Sequence, residues 1–107
     1  MRAEQEQLRK SSDAVRAQIS SEVVSAFQEY ESTRALLAEI ERDLLRPSAE
    51  ARDTTAYVYK AGASSLIDVL DAQRAFNETM SVYYGAQADY RRASSRLTAA
   101  AGQEVIP

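Results

Sequence analysis

Two aspartates three residues apart, Asp68 and Asp71, follow a small-residue stretch in "YKAGASSLIDVLDAQR", Tyr59 to Arg74. A carboxylate pair at that spacing can act as a general acid and base, hold a cation, or interact with the start of a helix. The first use needs a partner and a site that shifts a pKa. The chain has no histidine and no cysteine, so the commonest general base and the thiolate nucleophile are both missing. Nothing beside an exposed bend raises a carboxyl pKa. No catalytic residue, no cofactor-binding residue and no metal ligand is therefore expected, and the chain does not read as an enzyme. As a cation site, two carboxylates on a solvent-facing turn are weak and unselective. The third use fits Asp68, which falls in the first turn of a predicted helix where the dipole and free amides favour negative charge. Asp71 lies past that turn, although it can meet Arg74 at i+3.

The elements that carry these residues follow from composition. There are 107 residues, 13 basic against 16 acidic, with only three glycines and two prolines. The length allows one domain at most, and the residue usage favours helix. A net charge of −3 gives no basic footprint for nucleic acid, so Tyr83 and Tyr90 read as core residues rather than base-stacking platforms. No apolar run approaches the roughly 20 residues that span a bilayer, and "MRAEQEQLRK" lacks the apolar stretch of a signal peptide. The polypeptide reads as soluble, and as a piece of something larger if it belongs to a membrane system.

Two heptad seams carry the fold. After Gly62, spacings of three and four select Val69, Ala72, Phe76, Thr79, Tyr83, Ala86, Tyr90, Ala93, Leu97 and Ala100, with bulky and small residues alternating. Before Gly62 the same spacing selects Ile19, Val23, Ala26, Tyr30, Thr33, Leu37, Ile40, Leu44, Pro47, Ala51, Thr54 and Val58. An all-α fold is expected: a long antiparallel helical hairpin with helix one over 4–60, a bend over 61–64 and helix two over 65–101. Gly62 ends the first helix, and Ser65 caps the second with Asp68 closing a capping box. Pro47 sits on the first seam, so that helix is expected to kink or break there. Arg91, Arg92 and Arg96 are expected to be solvated or paired with glutamates such as Glu22 and Glu31. Helix one, about 85 Å against about 55 Å for helix two, leaves the first twenty or so residues without a partner. Apolar residues off the seam, among them Val24, Leu36, Leu70 and Met80, ask for further helices.

The run "AYVYKAGASSLIDVLDAQRAFNETMSVYYGAQADYRRASSRLTAAAG" resembles the C-terminal repeat of the outer membrane efflux protein family, the TolC-like outer membrane factors. The matching residues are Tyr59 three before Gly62, then Ser65, Leu66 and Ile67, then the block from Asp68 to Arg74. Tyr83, Asp89, Tyr90, Leu97, Ala101 and Gly102 follow. Upstream, "VVSAFQEY" and "LLRPSAEA" are similar to the preceding long helix of members related to cation-efflux channels.

The resemblance implies a periplasmic segment of an outer membrane channel in a tripartite export system of the Gram-negative envelope, for cation or drug efflux. Members assemble as trimeric channels, and each helical hairpin descends to a tip that meets a periplasmic adaptor and, through it, an inner-membrane pump. The bend, Ala61, Gly62, Ala63, Ser64 and Ser65, would be an adaptor-docking tip. Asp68 and Asp71 would line the gated entrance, and Tyr59 would correspond to a latch tyrosine. Some members carry a basic latch residue where this chain has Ser64, so the latch is absent or built differently. The alternative reading is a structural or adaptor-type coiled-coil hairpin of a periplasmic membrane fusion protein. Such hairpins usually have polar tips without an aspartate pair.

Overall fold

Helix formers fill long stretches of the chain without a helix breaker, and the fold follows from them. The computed structural model describes residues 2–105. Its elements are α1 (Arg2–Ile40), a π-helical turn (Glu41–Leu45), α2 (Arg46–Lys60) and α3 (Leu66–Val105). Among the described residues there is no strand. The fold is the all-α hairpin expected, with a helical backbone from Arg2 to Lys60 and a return through α3. The second helix runs to Val105 rather than stopping near residue 101. Alanines at 99–101 and Gln103 favour helix, and Gly102 costs only about 1 kcal/mol inside it.

The chain forms two compact units, one over Thr33–Tyr90 and the other combining Met1–Ser32 with Arg91–Pro107. In the first unit the regular α-helix stops before the proline and restarts at Arg46 with Pro47 in its first turn, as one of the expected outcomes had it. No loop separates the two segments, because Leu45 and Arg46 keep right-handed helical dihedrals. The helix widens instead. The Arg46 N–H donates to the Glu41 carbonyl, five residues back, where an α-helix would reach four. A proline ring in an α-helix crowds the carbonyl four residues earlier and leaves it without a donor. Here that carbonyl belongs to Asp43, inside the wide turn. The Ser48 hydroxyl donates to the Leu45 carbonyl at 3.0 Å, so a side chain supplies a donor beside the proline. On the outer face Arg42 bonds Asp43 at 2.9 and 3.2 Å and holds its carboxyl below the usual carboxylate range.

A π turn is an α-helix with one residue inserted, so it moves later side chains around the helix. The expected seam holds through Thr33, Leu37 and Ile40, all half-buried or buried. Beyond the turn it is displaced by one residue. Leu44 is 51% exposed, and Pro47, Ala51 and Thr54 are exposed as well, whereas Leu45, Ser48, Arg52 and Thr55 are half-buried. Val58, next to the bend, is half-buried as expected. The Arg52 guanidinium lies 4.0 Å from the centre of the Phe76 ring on α3, a cation–π contact, and also bonds Asp53 at 3.0 Å. An arginine whose stem packs and whose head rests on an aromatic face can occupy a seam position where a shorter ionic side chain would not.

All the expected seam positions of α3 are buried or half-buried, from Val69 to Ala100. In the second unit α1 contributes half-buried Ile19, Val23 and Tyr30 and buried Ala26, opposite buried Ala93 and Ala100 and half-buried Leu97. Arg96 pairs with a glutamate of the first helix as expected, and the one it meets is Glu29 rather than the Glu22 or Glu31 given as examples. Those two lie about two turns to one side of Glu29 and about half a turn to the other. Arg2–Gln18 are exposed at every position, as expected for a stretch without a partner helix. Of the buried core residues, Ala26, Ile40, Ala86, Ala93 and Ala100, all but one are alanine. Among the described residues the least exposed positions thus mostly carry the smallest side chain that a seam can use, one that permits close helix approach.

Candidate functional site

The bend is tied at both ends by hydrogen bonds that its residue types make possible. At the end of α2 the Ala63 N–H donates to the Val58 carbonyl at 3.0 Å and the Gly62 N–H to the Tyr59 carbonyl at 2.9 Å. These two bonds form a Schellman motif, which needs a left-handed residue between them. Gly62 supplies it, at φ 82°. At the start of α3 the capping box is formed in both directions. The Asp68 N–H donates to the Ser65 hydroxyl at 3.2 Å, and the Ser65 N–H donates to the Asp68 carboxylate at 3.3 Å. Ser64, half-buried, donates its hydroxyl to the Thr55 carbonyl at 3.4 Å. That bond folds the bend back on α2 and was not foreseeable from Ser64 alone. The tip residues Ala61, Gly62, Ala63 and Ser65 are exposed, so short side chains and backbone form the outer surface of the turn.

The structure separates the two aspartates. Asp68 is engaged in the cap. Asp71 is exposed and forms no ion pair with Arg74 among the described residues, so the pairing weighed for it is not made. Ile67, its neighbour one turn back, is 68% exposed, and the adjoining Leu70 is 54% exposed. Leu66 and Tyr57 are likewise exposed, and Tyr59 is 43% exposed. Asp71 is thus a surface carboxylate flanked by uncovered aliphatic side chains. Of these residues Leu70 was visible beforehand as an apolar residue off the seam. The same signal, an apolar side chain out of phase with its heptad, also marks Leu66 and Ile67.

Little else offers chemistry. Among the described residues no group of three or more aspartates or glutamates is placed to hold a metal ion, and no helix is long and apolar enough to cross a membrane. Tyr83 and Tyr90 are half-buried in the α3 seam. Away from the bend, uncovered apolar residues include Val24, Phe27, Leu36, Val82 and Tyr84. Comparison with protein-family models, with curated proteins and with solved structures finds no match.

Proposed function

We propose that this chain is a periplasmic helical-barrel segment of an outer membrane efflux channel, whose bend docks a periplasmic adaptor and whose acidic residues line a gated entrance. The observation that carries the reading is the tip itself: a narrow turn tied by a Schellman motif and a capping box, with exposed Ile67 and Leu70 beside Asp71. A turn held by its own backbone presents a fixed surface, which lowers the ordering cost of docking a partner hairpin. Uncovered Val24, Phe27, Leu36, Val82 and Tyr84 suit burial against further helices, as self-association to a trimeric channel in a full-length protein would provide. The adaptor in turn links such a channel to an inner-membrane pump.

Within that reading the aspartates have different tasks. Asp68 holds the start of α3, and Asp71 supplies charge to a shared axis. Three copies of a carboxylate near one axis repel each other and attract cations, so cation binding or protonation favours closure. The experiment is single-channel conductance of the full-length protein in planar bilayers, comparing the parent with Asp71→Asn. The expected outcome is weaker cation selectivity and altered opening. Unchanged conductance and selectivity in Asp71→Asn would defeat the entrance assignment.

A further inference from the structure

Beyond Ile40 the chain holds two stripes, one residue apart, that could each pack against α3. One is Leu44, Pro47, Ala51 and Thr54, the direct continuation of the heptad phase of α1. The other is Leu45, Ser48, Arg52 and Thr55, the stripe now turned inward. The two are matched at both ends: leucine answers leucine and threonine answers threonine. Between them the unused stripe is the less polar, with Pro47 and Ala51 in place of Ser48 and Arg52. Half-buried Ala49 and Ala56 flank the inward stripe, so the two registers differ little in apolar burial, and that burial does not decide between them.

Backbone chemistry does. In the unused register the helix would be α through residues 41–47, and the Pro47 ring would meet the Asp43 carbonyl. The π turn over Glu41–Leu45, with its Arg46 N–H to Glu41 bond, replaces that α geometry just ahead of the proline and carries the extra residue that moves the stripe. A π turn has no intrinsic advantage over α geometry, so it persists only while something sustains it.

We infer that the arm from Leu44 to Thr55 is a two-register element, and that Pro47 holds it in the register with the π turn. Loss of the turn converts the segment to α-helix, rotates the arm by about 100° and advances it by about 1.5 Å, one helical residue. That step exchanges Arg52 for Ala51 as the inward residue and takes the guanidinium off the Phe76 ring. A change confined to one turn thereby resets which side chains the arm presents, without melting either helix. It is a shift between discrete packings of the kind that builds conformational switches. The inference concerns the arm alone and does not depend on what docks at the tip.

The chain has no cysteine, so single introduced thiols report their own exposure. Leu44→Cys and Leu45→Cys are placed separately in the full chain and the rate of maleimide labelling is measured, with helicity followed by circular dichroism. In the parent background the Leu44→Cys thiol labels severalfold faster than the Leu45→Cys thiol. With Pro47→Ala added, the order reverses. A third background combines Pro47→Ala with deletion of Asp43, which removes the proline and the extra residue together. There the helix is α and the Leu45 stripe stays inward, so the parent order returns. An unchanged order in Pro47→Ala would show that side-chain packing sets the register and would overturn the inference. So would a faster Leu45→Cys thiol in the deletion background, because the one-residue relation between the stripes would then be wrong.

Discussion

Replacing Gly62 by alanine isolates the cost of one backbone angle. A Cβ built at Gly62, Gly85 or Gly102 meets nothing within 4 Å, so the new methyl group clashes with no neighbour at any of these positions. They differ in φ: Gly62 stands at 82°, whereas the other two lie inside α3. Holding an L-residue in the left-handed region costs about 1–2 kcal/mol. The stiffer unfolded chain returns about 0.4–1 kcal/mol of that, leaving Gly62→Ala destabilised by about 1 kcal/mol. At exposed, helical Gly85 the same substitution stabilises by about 0.5–1 kcal/mol. One methyl group thus gives opposite signs, separated by about 2 kcal/mol. The assay is urea unfolding followed by far-ultraviolet circular dichroism at fixed protein concentration, since association would otherwise shift the midpoint. Gly62→Asn should fall between parent and alanine, because asparagine tolerates the left-handed region better. A Gly62→Ala variant as stable as the parent would refute the Schellman assignment and, with it, the fixed turn on which the docking surface depends.

The remaining expectations use the same unfolding measurement. Ala93 is 1% exposed, so Ala93→Leu overpacks the seam and should cost about 1–3 kcal/mol. The same substitution at exposed Ala88 serves as the control and should stay within about 0.5 kcal/mol; equal losses at the two positions would contradict the tight packing at Ala93. Ser65→Ala should cost about 1 kcal/mol through loss of the cap. Asp71→Ala should leave stability within about 0.5 kcal/mol, and a loss matching that of Ser65→Ala would contradict the division of labour between the aspartates. A double-mutant cycle with Arg52→Met and Phe76→Leu should return a coupling of about 0.5–1 kcal/mol from the cation–π contact. Additive effects would show that the stem alone holds Arg52 in the seam.

How much of this was readable in the sequence depends on whether a backbone rule or a side-chain pattern decided the outcome. The α3 seam was readable throughout, because so many positions in one phase leave a helix a single stripe to bury. The α1 seam was readable as far as Ile40 for the same reason. Gly62 and the Ser65–Asp68 pair announced the turn, since few residue types satisfy those caps. The displaced stripe from Leu45 to Thr55 was not readable, because the heptad phase runs on through Pro47 as if no residue had been added. In the inference drawn above, the backbone of Pro47 and not a hydrophobic pattern sustains the wide turn. Pro47 did signal that something must give, but a kink, a break and a wide turn all answer that need. The half-burial of Arg52 depends on Phe76 of the other helix, and the choice of Glu29 by Arg96 depends on a register that heptad phase leaves open by a turn or more. At the bend, Asp68 could be recognised as a cap, whereas the isolation of Asp71 emerged only once Arg74 was seen not to reach it.

The helical backbone over Arg2–Gln18 has solvent at every position. Its amides are shielded by nothing except their own hydrogen bonds, and helical segments so placed open readily. In deuterated buffer they should therefore exchange ahead of those between Val23 and Lys60. A binding partner laid along Leu8 and Val15 would slow that exchange locally, making the first turns of the chain a built-in reporter of assembly.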